Sequence, residues 1–141
     1  MLLAWLSLGA VVAIAQSATT TEQDPRLVVP VAGPDVPGTG PIRTGAWFVP
    51  KWRDRRKHFF EQADKEHGAL VFFGDSITEG WGDHMKGMFE GVKVANRGIG
   101  GDTTRGMLAR LDDDVIAIDP AGVVMLMGTN DLDEKADAET I

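Results

Sequence analysis

Three short apolar runs, at residues 69–73, 92–95 and 123–127, each end in a loop that sets glycine beside polar residues. This pattern constrains the fold more than any other feature of the chain. The first and third runs are continuously hydrophobic, as strands covered on both faces are. Helix-like segments separate them. A short one lies around residues 85–89. A clearer one covers residues 103–111, with Met107, Leu108 and Leu111 on one face and Asp102 at the N-cap position. Strand, helix, strand, helix, strand predicts right-handed crossovers and a parallel, doubly wound α/β sheet. In such a sheet the loops after the strands emerge on one edge, so residues distant in sequence converge there.

Upstream, Pro50 opens a predicted helix over residues 50–66, with Trp52, Phe59, Phe60 and Ala63 as its apolar stripe and Gly68 as its stop. The basic residues Arg53, Arg55, Arg56 and Lys57 read as a solvated helix face. Residues 16–44 form a Pro-, Gly- and Thr-rich arm, flexible at its start and then either extended over the domain or a linker. Trp47, Phe48 and Val49 are too apolar for free linker and are expected to dock on the domain, which takes in residues 45–141. Residues 2–15 are almost wholly apolar, and Ala13-Ile14-Ala15 fits a small-x-small cleavage site before Gln16. The run is shorter than the ~20 residues of a spanning helix, and no Lys or Arg precedes it. It reads as a signal peptide, placing the protein in a secreted or periplasmic setting.

Composition narrows the chemistry. Fourteen basic residues stand against twenty-one acidic ones in 141, a net charge of −7, which argues against a nucleic-acid partner or an anionic membrane surface. There is no cysteine; disulfides, thiolate catalysis and Cys-ligated zinc are excluded.

The three loops are Gly74-Asp75-Ser76, then Asn96-Arg97-Gly98-Ile99-Gly100-Gly101-Asp102, then Gly128-Thr129-Asn130-Asp131. Each alone has a plain reading as a turn or a helix cap. Together they supply what ester cleavage needs: a hydroxyl to attack a carbonyl and pre-aimed donors for the resulting oxyanion. Ser76 offers the hydroxyl and its own backbone N–H. Gly100 and Gly101 let the backbone approach a ligand closely, and the Gly101 N–H is a second donor. The Asn130 amide is an uncharged third donor. The glycine loop lacks the Gly-Lys-Ser/Thr ending of a P-loop and the dinucleotide fingerprint.

On these blocks the chain resembles the SGNH hydrolases, also called GDSL esterases and lipases. The Gly98-Ile99-Gly100-Gly101-Asp102-Thr103-Thr104 form is especially similar to the platelet-activating-factor acetylhydrolase-like branch. The resemblance implies a flavodoxin-like three-layer α/β/α sandwich, with Ser76 as nucleophile. The Ser76 and Gly101 amides and the Asn130 side chain would form the oxyanion hole, with neither metal nor organic cofactor. The substrate would be a small-molecule, carbohydrate or lipid ester. Asp75 and Asp131 are expected to shape their loops, and Asp112, Asp113 and Asp114 to form an acidic helix end.

The family takes its general base from an Asp-x-x-His block near the end of the domain. No such block follows Asp131, and His58, His67 and His84 do not match the family position. The expectation is therefore the N-terminal part of a longer enzyme. It would hold a nucleophile and oxyanion hole, have little esterase activity of its own, and leave one sheet edge and part of a core face open. The alternatives are a non-catalytic carbohydrate- or anion-binding module and a flavodoxin-like nucleotide binder. The missing lysine beside the glycine loop and the negative charge count against the last.

Overall fold

The computed structural model describes residues 24–82 and 84–141; the segment read as a signal peptide lies outside the described residues. The fold is α/β. A parallel sheet is built from β1 (Leu70–Gly74), β2 (Val94–Gly98) and β3 (Gly122–Leu126) in the order β2-β1-β3. That order matches the first three positions of the flavodoxin-like 2-1-3-4-5 arrangement. The strand boundaries shift from those expected, most of all in β2. It runs on through Asn96 and Arg97, two polar residues that made the apolar run look finished at residue 95.

Right-handed crossovers in opposite directions place the connecting helices on opposite faces of the sheet. On one face lie α1 (Phe48–Glu66) and α4 (Thr104–Asp114). They cover Val71, Phe73 and Ala95, with Met107, Val115 and Ile118 completing a buried cluster. On the other face lie α2 (Ser76–Gly80) and α3 (His84–Met88), where the rings of Phe72 and Phe89 meet at 5.5 Å. A last short helix, α5 (Thr129–Asp133), follows β3. β1 is paired on both sides, whereas β3 lies at the sheet edge with Val123, Val124, Met125 and Leu126 all exposed.

The buried stripe of α1 is Phe48, Trp52, Arg56, Phe59 and Glu66, spaced at intervals of three, four and seven as a helix face requires. Two of its members are charged. Arg56, expected on the solvated face, is buried, with its Nε on Asp114 Oδ1 and its Nη2 on Asp113 Oδ2, each at 2.9 Å. Glu66 meets the buried Arg97 of β2, which also donates through Nε to the Asp114 carbonyl at 2.7 Å. Arg110 of α4 completes the set. It pairs with Asp102 at 2.7 Å and Asp114 at 3.1 Å and donates to the carbonyls of Arg97 and Gly74. Three buried cations are thus matched by Glu66, Asp102 and Asp114. Desolvating ions costs several kcal/mol each unless geometry and extra hydrogen bonds compensate, and here carbonyls fill the remaining donor directions. The acidic end of α4 is therefore largely an internal counter-charge: Asp114 is buried, Asp113 half-buried and Asp112 exposed.

Two further details of α4 differ from the sequence reading. Its N-cap is Thr103, whose side chain accepts from the Gly106 N–H, rather than Asp102. Leu108 is exposed. The buried face of the helix is Gly106, Met107, Arg110 and Asp114 instead, at helical spacing.

Residues 24–44 lie against the domain. Arg105 of α4 gathers the carbonyls of Gly33, Val36, Pro37 and Gly40 around one guanidinium, and Thr103 Oγ1 donates to the Pro41 carbonyl at 2.7 Å. Val29 packs with Phe48, Trp52, Phe59 and Ile99 in a second apolar cluster. A proline-rich segment has carbonyls to spare because it forms no ladder, and a single arginine collects them.

Candidate active site

Ser76 is the first residue of α2, directly after the carboxyl end of β1, and it is exposed. Its neighbour Asp75 is buried. One Asp75 oxygen caps α2 by accepting the Ile77 N–H at 2.9 Å, and the other accepts from Asn130 Nδ2 at 3.3 Å. Asp131, fully buried, holds the backbone N–H and hydroxyl of Thr104 at the start of α4. Both carboxylates are occupied in joining loops.

The second loop leaves β2 in register with the first, since Gly98 pairs with Gly74. It then folds into a turn closed by Asp102 N–H donating to the Ile99 carbonyl at 3.1 Å. Gly101, third in this turn, has φ +87°, the value of the third residue of a type II turn, where a side chain is disfavoured. A β-carbon at Gly101 would also run into the indole of Trp47. Trp47 is 55% exposed and stands at the edge of the site, with the Arg43 guanidinium 5.4 Å from its ring.

Asn130, near the start of α5, ties the three loops together. Its Nδ2 donates to the Asp102 carbonyl at 2.9 Å and to Asp75 Oδ2 at 3.3 Å. It therefore touches the residue beside Gly101 and the residue beside Ser76. The sequence-predicted trio Ser76, Gly101 and Asn130 lies on three adjacent loops at one sheet edge, at the switch point where β1 is flanked by β2 and β3.

Asp102 sits under this turn. Burial pushes its carboxyl up to about 6, outweighing the Arg110 guanidinium beside it and the Thr103 N–H, both of which act in the opposite sense. The loop is thus anchored on a charge network in the core.

The histidines are not gathered at this edge. An Asp-x-x-His spacing does occur, at Asp64-Lys65-Glu66-His67. It closes α1 at the amino end of β1, so the length of the strand, roughly 15 Å at ~3.3 Å per residue, separates it from Ser76. Both Asp64 and His67 are exposed there, His58 is exposed on α1, and His84 is exposed at the start of α3.

Sequence reasoning missed Glu79 and Lys51. Glu79 accepts the backbone N–H of Gly100 and pairs with Lys51 of α1 at 3.0 Å. The only hint was position: Glu79 is one helical step, i+3, from Ser76. Beside the site, Phe72, Ile77, Trp81, Met85, Val124, Met125 and Leu126 line an apolar groove of about 270 Å³.

Residues 72–141 match the sequence profile of the GDSL-like lipase/acylhydrolase family. An acetylxylan esterase of Geobacillus stearothermophilus is 33% identical across 45% of this chain and 39% of its own length. The alpha2 subunit of platelet-activating factor acetylhydrolase IB from Homo sapiens is 29% identical across 62% of this chain and 39% of its own. A crystal structure of a GDSL-like lipase from Bacteroides thetaiotaomicron aligns with a TM-score of 0.49 and 35% identity, over 59% of this chain and 43% of that one. The chain spans about 39% of the length of the curated relatives it matches.

Proposed function

The chain belongs, through residues 72–141, to the GDSL-like lipase/acylhydrolase family, and from that premise we propose that it supplies the nucleophile and oxyanion hole of a serine ester hydrolase. Ser76 Oγ attacks the ester carbonyl, and the alcohol leaves from the tetrahedral intermediate. Water then releases the acyl group from Ser76. The developing oxyanion rests on the Ser76 and Gly101 backbone N–H groups and on Asn130 Nδ2.

One observation carries this reading: the Asn130 amide spans the Asp75 and Asp102 positions, so the loops of Ser76 and Gly101 are held side by side. Its 3.3 Å contact to Asp75 is the longer of the two. That proton is the one a new anion beside Ser76 would draw away.

The proposed substrate class is a small acyl ester, acetate on a carbohydrate or lipid, in keeping with what the two curated relatives are named for. The apolar residues 2–15 support a secreted or periplasmic setting for it. Serine attack needs a base that takes its proton, and the histidines described lie elsewhere. We therefore expect the 141-residue chain by itself to turn over esters slowly.

Intact-mass analysis after exposure to a fluorophosphonate tests the nucleophile. With imidazole added as an external base to take the serine proton, a single adduct mapped to Ser76 and lost in Ser76→Ala is expected; no adduct, or one on another serine, sinks the assignment. Rapid p-nitrophenyl acetate hydrolysis by this chain, abolished by Ser76→Ala, would overturn the expectation of slow turnover.

A further inference from the structure

We propose that Glu79 is a positioning residue that sets the aim of the Gly101 N–H. The inference rests on the reading of that N–H as an oxyanion donor, and names what holds it in place.

The Gly101 N–H belongs to the central peptide of the turn Ile99-Gly100-Gly101-Asp102. In a four-residue turn, types I and II differ mainly by a flip of that peptide. The flip reverses the direction of the N–H while leaving the chain ends nearly unmoved. With glycine at both central positions, neither orientation is excluded by a side chain. Something outside the turn must choose.

The structure shows an outside carboxylate, that of Glu79, bonded to the turn. The preceding peptide is fixed at both ends: its carbonyl, on Ile99, accepts from Asp102 N–H at 3.1 Å, and its N–H, on Gly100, donates to Glu79 Oε2. Glu79 is itself located by three constraints. It lies on α2, three residues after Ser76. Its backbone presses so closely on Gly98 that a β-carbon there would overlap it. Its carboxylate is held by Lys51 Nζ at 3.0 and 3.3 Å. A carboxylate accepting a backbone N–H makes a charge-assisted bond, stronger than a neutral one. Because Glu79 and Ser76 share one short helix, the nucleophile and the donor it works with are registered against each other. Trp47 lies against Gly101 where a β-carbon would stand.

The test is amide NMR on the ¹⁵N-labelled chain with phenylboronic acid in imidazole buffer: boron takes the Ser76 oxygen into a tetrahedral adduct while the buffer takes the serine proton. Three results are expected. In the wild type, the Gly100 amide exchanges slowly with solvent, as an N–H held by a carboxylate does. Boronate moves the Gly101 amide, and Ser76→Ala abolishes that movement. Glu79→Ala displaces both glycine amides and weakens boronate binding about tenfold, a fraction of what losing an oxyanion donor costs in rate, while Glu79→Gln, which keeps an acceptor oxygen, restores most of the affinity.

A Gly100 amide that exchanges as fast as an exposed one overturns the inference without recourse to any variant. So does a boronate response of Gly101 that is the same in Glu79→Ala as in the wild type; either result leaves the donor reading standing. Boronate that fails to move Gly101 in the wild type overturns the donor reading, and the inference falls with it.

Discussion

Arg110 Nε donates to Asp102 Oδ2 at 2.7 Å where both side chains are buried, so the turn that carries Gly101 is tied by an ion pair to the helix that follows it. Arg110 also reaches Asp114 and the carbonyl of Gly74, two residues before Ser76. A single guanidinium therefore braces the first and second loops of the site from beneath.

Removing that cation leaves Asp102 and Asp114 under-compensated. Arg110→Ala is expected to lower unfolding free energy by about 3–5 kcal/mol, as breaking a buried pair from one side does. Urea denaturation measures it, and a loss below about 1 kcal/mol would show that water or rearrangement replaces the guanidinium.

The raised Asp102 carboxyl predicts a pH dependence of definite sign. Its folded value is about 6 and its ordinary value 3.8, so between these the folded chain holds a proton that the unfolded chain has released. Its contribution to stability is therefore fullest below about pH 4 and is lost as pH rises through 6. Asp102→Asn should remove that component. The difference between wild-type and variant stability, plotted from pH 4 to 7, should slope through this window and be flat above it.

Gly101→Ala faces two separate penalties. Its φ of +87° disfavours a β-carbon, by roughly 1–2 kcal/mol, and Trp47 occupies the space that carbon needs. Trp47→Ala in the same chain should relieve the second penalty and leave the first. A double-mutant cycle is expected to give a coupling of about 0.5–3 kcal/mol; additive effects would mean that the indole moves aside freely.

Among the described residues nothing pairs with the outer edge of β3, and Val124 and Met125 are about half exposed there. Unpaired apolar edges template association. Sedimentation of this chain should show mass rising with concentration, and Val124→Lys should suppress the rise. Equal behaviour of the two would place association elsewhere.

The sheet and the three loops were legible because their signals are local: apolar runs of strand length, and Gly, Ser and Asn where a chain must turn. The charged interior was not. Arg56 lies in a run of basic residues that resembles a wet helix face, and only the helical spacing Trp52, Arg56, Phe59 places it inward. Arg97 made β2 look shorter than it is. In each case the partner that makes burial tolerable, Asp114 or Glu66, is distant in sequence. The role of Asn130 was expected as a donor, while its bonds to Asp75 and Asp102 depend on how the third loop sits against the other two. Glu79 fell below notice because its acceptor role is toward a backbone N–H, which leaves no trace in residue type.

The strand order carries a consequence for how such a chain is made. β1 sits between its two successors, so every part of the site from Gly74 to Asn130 comes from one unbroken stretch, with no later segment inserted between them. A chain emerging amino end first can close this arrangement as soon as Asn130 clears the ribosome. The nucleophile's surroundings would then be shaped during synthesis, and arrest of translation on a linker fused after Ile141, followed by brief proteolysis, should already find the stretch protected.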